Sequence, residues 1–402
     1  MKCKSCNNEN ISSILDLGNH PWCNDFLTED RLGKEEKYPL HLVHCDDCEL
    51  LQLNYTVPKE VMFKNHTYVS STTKTLKKHF YDLAVENQDQ FNLGSKDLIL
   101  DIGGNDGTQL LEYIRAGMYN VLNVESADNI AQLSKDDGVS TINDFFNEDV
   151  ITKHKLEGKV KLINASGVFF HLEELHSVIR GIKKALMDDG VFVVQFMYAG
   201  TMVEKLNFDG IYHEHLCYYT LRSLGKLLRP YGLEIFDAYY SEIHSGSVIA
   251  KVCHDSMPYQ HTDRELEMMA KDMKYTKDVF LDFANTVEGK RDDLRDMLVK
   301  IKNDNPDAKI YAYGAPAKGN TLLNYFNIDN TLIDKCVEVN ELKIGLYLPN
   351  THIPIVRESG DDVPDYYLLL AHNFADEIIE KNKKLIEDEV KFIIPFPEVK
   401  II

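Results

Sequence analysis

The stretch that most restricts this chain's fold is Asp101-Ile102-Gly103-Gly104-Asn105-Asp106-Gly107-Thr108-Gln109-Leu110-Leu111, entered directly from the apolar run Leu98-Ile99-Leu100. A short continuous apolar run suits a strand buried on both faces of a parallel sheet. Three glycines fall where such a strand hands over to a helix, and Leu110-Leu111 begin the helix's apolar face. Lacking a Cβ, glycine lets the backbone approach a ligand closely. The next apolar run, Val121-Leu122-Asn123-Val124, ends in Glu125, placed as an acid that accepts hydrogen bonds from ribose hydroxyls. Strand, glycine loop, helix, strand and acid outline a nucleoside-cofactor site. A glycine turn alone is weak evidence, and the order is not the G-x-G-x-x-G of a dinucleotide site. Its acid-x-Gly-x-x-x-Gly order favours S-adenosylmethionine over a nicotinamide cofactor.

The α/β alternation continues downstream. Val160–Ala165 reads as a strand, a helix runs through Lys184 with Gly190 as its C-terminal stop, and Val191–Phe196 reads as a further strand. This spacing gives a doubly wound sheet with ligands at the carboxyl ends of its strands. Asp144-Phe145-Phe146 places an acid and an aromatic near an adenine, or equally forms a core aromatic pair with a capping acid. The hydroxyl-rich segment from Thr67 to Thr73 precedes an amphipathic run, Leu76 to Phe91, and reads as a helix cap.

The N-terminal region carries Cys3-x-x-Cys6 and Cys45-x-x-Cys48. Two such pairs supply the four-sulfur tetrahedral set that zinc takes, with no position open for water, so the metal would be structural. A disulfide pair and a redox motif are the alternatives. The N-terminus lacks the apolar core of a signal peptide, so a cytoplasmic protein with reduced cysteines is expected. The net charge is −20, with no Lys/Arg-rich block and no apolar run long enough to span a bilayer. Neither nucleic acid nor a membrane is therefore an expected partner, and the acidic surface fits a monomer. The 402 residues suggest two or three domains: residues 1–66, 67–250 and 251–402.

The most reactive side chains cluster in Phe208-Asp209-Gly210-Ile211-Tyr212-His213-Glu214-His215-Leu216-Cys217-Tyr218-Tyr219. Histidine exchanges protons near neutral pH, and a phenol can donate to a developing oxyanion. Adjacent side chains diverge in helix and strand, and no H-E-x-x-H motif is present, so proton transfer is favoured over metal binding. From Asp263 to Ile301 helical spacing suggests two helices joined near Val287-Glu288-Gly289. Lys309 to Leu323 then reads as strand, small-residue turn and helix, with Gly314 and Lys318 where a helix start can hold phosphate.

Taken together, the paired C-x-x-C motifs, DIGGNDGTQLL, VFFHLEELHSVIRGIK, FDGIYHEHLCYYTLRSL, YGAPAKGNTLLNYF and GLYLPNTHIPI resemble the sugar C-methyltransferases that act on nucleotide-linked keto-deoxysugars. The resemblance spans almost the whole chain. It implies an N-terminal zinc domain, a Rossmann-like S-adenosylmethionine domain and a C-terminal Rossmann-like α/β domain that helps enclose the substrate, a dTDP- or GDP-linked sugar. The implied reaction is methylation at C3 of a 4-keto-6-deoxyhexose through an enolate. His215 falls at the position of the base, with Tyr212, Glu214, Tyr68 and His171 around the substrate. Asp101, Gly103, Asn105, Gly107, Glu125, Asp144, Phe145 and Ala165 fall to the cofactor, and His244, Ser247, Gly314, Lys318 and Asn320 to the substrate. Departures at Asp101, Gly104, Gln195 and His244-Ser245-Gly246-Ser247 bear on the identity of the sugar. A keto-sugar isomerase or epimerase and a sugar O-methyltransferase use similar residues and stand as alternatives.

Overall fold

A computed structural model of the chain describes residues 1–63, 69–72, 74–243, 246–257, 259–360 and 362–402, so Tyr68 and His244 lie outside the described residues. Three sheets organise the rest. The first is antiparallel, in the order Ile11–Pro21, Lys37–Cys45, Leu51–Leu53 and Cys217–Tyr218. Its last strand comes from the histidine-rich stretch, so the N-terminal module holds the far end of that stretch by a backbone ladder.

The second sheet has seven strands, in the order Leu233–Ser241, Ser247–His254, Leu186–Met197, Val160–Ser166, Leu98–Ile102, Val121–Glu125 and Thr141–Asn143. Ser247–His254 alone runs against the others. The chain order reverses between Leu98–Ile102 and Val160–Ser166, which opens a crevice at their carboxyl ends, where doubly wound sheets bind ligands. The glycine loop and the segment Gly167–His171 border that crevice.

The third sheet repeats the plan, in the order Ile355–Arg357, Lys335–Glu338, Ile310–Tyr313, Tyr366–Leu369, Lys391–Ile394 and Lys400–Ile401. All are parallel except the last. Its switch point lies between Ile310–Tyr313 and Tyr366–Leu369. One continuous core joins the first sheet, a face of the second and much of the third. Among the described residues no helix is long and apolar enough to cross a membrane.

Two local expectations are corrected. The helix Leu175–Ala185 passes straight into the strand Leu186–Met197, so Gly190 does not stop a helix. It sits inside the strand, where a Cβ would lie 2.9 Å from the Val160 carbonyl oxygen, beside a register shift; glycine in a strand marks such close approaches. The helical region breaks at Met273–Thr276, between Asp263–Asp272 and Lys277–Asp304. It does not break at Gly289, whose missing side chain faces open space. An exposed glycine there costs only about 1 kcal/mol, which the buried Phe280, Phe283, Val287, Leu294 and Leu298 offset.

Candidate active site

The glycine loop takes its shape from backbone that tolerates no side chain. Gly103 has φ +59°, and a Cβ on it would sit 2.7 Å from Val168 Cγ2. On Gly104 a Cβ would meet Asn123 Oδ1 at 2.6 Å and Asp101 Oδ2 at 2.8 Å. Gly107, at φ +81°, caps the helix Thr108–Arg115 and lies over Ser134. Glu125 accepts the backbone N–H of Asn105 at 3.0 Å and of Ala127 at 2.8 Å. The hydroxyl-rich segment docks here through its backbone: Ser70 N–H donates to Asn105 Oδ1 and Ser71 N–H to Asp106 Oδ2, each at 3.0 Å.

The reactive histidines meet because Leu216 N–H donates to the Phe170 carbonyl at 2.8 Å, drawing the two histidine-bearing segments together. His171 and His215 have ring centroids 5.0 Å apart, and Tyr212 lies against His215 at 3.8 Å. His171 donates Nδ1–H to the Glu214 carbonyl and His215 donates Nδ1–H to the Gly210 carbonyl, both at 2.7 Å. Each bond fixes the neutral ring's tautomer and makes Nε2 the basic nitrogen. Burial, with the Glu214 charge next, holds the Tyr212 phenol well above its ordinary range, so it stays a proton donor. His213 points the other way: it is 1% exposed and reaches the Tyr38 carbonyl at 3.2 Å, in the N-terminal sheet.

One cavity of about 1720 Å³ joins these groups. Its lining includes Gly103, Asn105, Glu125 and Phe145 around the glycine loop, His171, Tyr212, Glu214 and His215 from the histidine-bearing segments, and Gly314, Lys318 and His372 beside the third sheet. The volume exceeds that of an ordinary one-ligand pocket, roughly 300–1,000 Å³, and suits two ligands.

Other residues expected at the site are not among the lining residues of this cavity. Asp101 is 2% exposed beneath Gly104, where burial and then Glu125 push its carboxyl well up. Ala165 is fully buried in its strand, and Gly107, at the end of the loop, faces Ser134 and Val139. Asp144 pairs with Lys153 at 3.2 Å and is not among the cavity's lining residues, unlike Phe145, which sits under Lys59. Ser247 accepts from Gln195 Nε2 at 2.8 Å inside the sheet, and Asn320 donates to the Cys23 carbonyl at 2.5 Å. Neither of these side chains lines the cavity.

Sequence reasoning missed His372, which bonds the buried Asp209 at 2.6 Å. Burial alone would raise the Asp209 carboxyl, yet the His372 charge beside it holds it below its ordinary value. His372 follows the strand Tyr366–Leu369 at the third sheet's switch point, and that position was the signal available.

The four cysteine sulfurs Cys3, Cys6, Cys45 and Cys48 lie within 4.8 Å of one another, none in a disulfide. Two turns bring them together, Asn7 N–H to the Cys3 carbonyl and Glu49 N–H to the Cys45 carbonyl. Four converging thiols are the donor set of a closed structural zinc site.

Comparison with known proteins finds three family matches along the chain. Residues 3–63 match the family described as "Putative zinc binding domain", 77–238 a methyltransferase domain, and 242–397 the C-methyltransferase C-terminal domain. The chain is 30% identical to the C-methyltransferase NovU of Streptomyces niveus over 411 residues, covering 100% of this chain and 96% of that protein. Among solved structures, the PH0226 protein of Pyrococcus horikoshii OT3 gives a TM-score of 0.38 at 11% identity, over 48% of this chain and 97% of its own. The geranyl diphosphate C-methyltransferase of Streptomyces coelicolor A3(2) gives 0.35 at 12% identity, over 45% and 80%. The full-length relative and the three matched domains carry the assignment: the chain belongs to the S-adenosylmethionine-dependent C-methyltransferases that join a zinc-binding domain, a methyltransferase domain and a C-methyltransferase C-terminal domain.

Proposed function

We propose that the enzyme methylates the carbon beside the ketone of a nucleotide-linked keto-deoxysugar, at C3 of an NDP-4-keto-6-deoxyhexose. The observation that carries this reading is the pair of imidazoles, each with Nδ1–H given to a backbone carbonyl, in the same cavity as the glycine loop. Gly103, Asn105, Glu125 and Phe145 would hold S-adenosylmethionine, which supplies a methyl group on a sulfonium. His215 takes the α-proton through Nε2. Tyr212, kept protonated, donates to the oxygen on which negative charge develops. His171 accepts from a sugar hydroxyl through its own Nε2. Holding both reactants in one cavity makes the transfer effectively unimolecular.

Gly314 has φ +81° and leads into the helix Ala317–Tyr325, with Lys318 in its first turn. A helix start with a lysine suits the substrate's diphosphate, and the doubly wound C-terminal sheet behind it suits the nucleoside. The test is a mass-spectrometric assay with S-adenosylmethionine and dTDP-, GDP- and UDP-linked 4-keto-6-deoxysugars deuterated at the exchangeable α-carbon. The expected product gains a methyl group and loses the α-deuterium, as general-base removal of that proton requires. Methyl gain with the deuterium retained would mean O-methylation. Deuterium washout without methyl gain would mean an isomerase or epimerase. Either result would remove this reading.

A further inference from the structure

The zinc module reaches the reactive stretch through its loop at residues 22–27. Trp22, the chain's single tryptophan, donates its indole N–H to Glu214 Oε1 at 2.6 Å, and Asn24 Nδ2 donates to the same oxygen at 2.6 Å. Glu214 is 4% exposed. Its main-chain carbonyl is the acceptor that orients His171, and the next residue is His215.

All three modules hold this loop in place. It leaves the strand Ile11–Pro21 and closes with Asp25 N–H on the Trp22 carbonyl at 3.0 Å. Asn320 of the C-terminal module donates to the Cys23 carbonyl, and Leu27 and Tyr347 exchange both backbone bonds at 2.9 Å. Arg31 clamps Asp25 with two bonds of 2.8 Å.

We propose that Trp22 and Asn24 are positioning residues for the methyl transfer, fixing the Glu214 side chain and through its peptide the orientation of His171 and His215. Two N–H donors converging on one carboxylate oxygen make short bonds that restrict the rotamer. Loss of either donor lets the Glu214 peptide shift, and small displacements of reacting groups are costly in rate. The zinc module thereby acts on the chemistry as well as on the fold. This inference rests on the roles given to His171 and His215 above.

The test is a double-mutant cycle on the zinc-loaded, full-length enzyme, with Trp22→Phe, Asn24→Leu and Glu214→Gln. Each loop substitution alone should lower kcat about 10–100-fold and leave KM for S-adenosylmethionine within about twofold. Combined with Glu214→Gln, each should cost less than about twofold more, because the partner is already altered. Full multiplication of the effects, or a change confined to KM for the sugar, would overturn the proposal. If Trp22→Phe does not fold, Asn24→Leu carries the cycle.

A second measurement needs no turnover. Glu214→Gln should move the fluorescence emission of Trp22, and an unchanged spectrum would overturn the contact itself. If the wild-type enzyme methylates no sugar in the panel, the functional reading fails and the emission experiment alone decides whether the loop holds Glu214.

Discussion

In the role of base proposed for it, His215 would need little chemistry of its own once its surroundings are fixed. The Gly210 carbonyl accepts a hydrogen bond from its Nδ1–H, Phe170 and Tyr212 pack on its ring, and the side chain is 3% exposed. His215→Asn should therefore lower kcat about 10²–10⁴-fold, the usual contribution of a general base, and stop α-deuterium washout. Affinity for S-adenosylmethionine, measured calorimetrically, should stay unchanged; a parallel loss of that affinity would mean the ring supports the fold instead. His20, on the other side of the same stretch, is set by burial and then by His213, which push its pKa down to about 4 from 6.5. Between those values the unfolded chain binds a proton that the folded chain refuses. This contribution to stability is full above pH ~6.5 and is lost as pH falls towards about 4. By pH 5 the loss relative to pH 8 should be about 2 kcal/mol. Urea melts of the wild type and His20→Gln at the two pH values isolate it, and equal pH slopes in both would remove the claim.

The elements that local sequence encodes well are those whose function is also local. Gly103, Gly104 and Gly107 each sit where a Cβ would collide, so strand, loop and helix are written within one short stretch. Gly103→Ala should place alanine at a positive φ against Val168, a strain of about 1–3 kcal/mol. Weakening of S-adenosylmethionine binding by about tenfold or more is expected, and an unchanged Kd would show that the loop adapts. A second element-level prediction concerns Lys251, whose side chain is fully buried and pairs with Glu86 at 2.8 Å, near Asp237 and Arg264. These groups tie the helix Lys74–Phe91 to the edge of the seven-stranded sheet. Lys251→Met leaves the fully buried Asp237 short of a partner and should destabilise the protein by about 3–5 kcal/mol, read as a fall in Tm. Little change would mean that Arg264 alone suffices. The less legible elements fail for physical reasons. Gly190 reads as a break because glycine suits both a helix end and a close approach, and Gly289 because glycine is a poor helix former, a preference that the buried neighbours override. The strand Cys217–Tyr218 is two residues long and finds its partner, Leu51–Leu53, far along the chain, which no local periodicity announces. The partners of Asn320 and His372 are not legible in sequence, because a single polar residue carries no pattern until its partner, Cys23 or Asp209, is in place.

On the scale of the whole molecule, the three modules meet along the reactive stretch. His215 is followed directly by Leu216, whose N–H holds the Phe170 carbonyl, and by the strand Cys217–Tyr218 that completes the zinc module's sheet. Thr321 of the C-terminal helix donates to the Ile211 carbonyl at 3.1 Å on the other flank. The glycine loop, by contrast, is built wholly within the second sheet and its helices. Removing zinc should therefore separate two properties. The strand Leu51–Leu53 begins three residues after Cys48, and structural zinc sites contribute folding free energy outright. Loss of the metal should loosen that strand and, through Cys217–Tyr218, the residues beside His215. Chelated enzyme should retain S-adenosylmethionine binding within about threefold yet lose kcat about 10–100-fold, and added zinc should restore it. Calorimetry and turnover on the same sample check this. A proportional loss of both would show that the metal supports the whole fold through the shared core. No loss of either would show that the sheet holds without it.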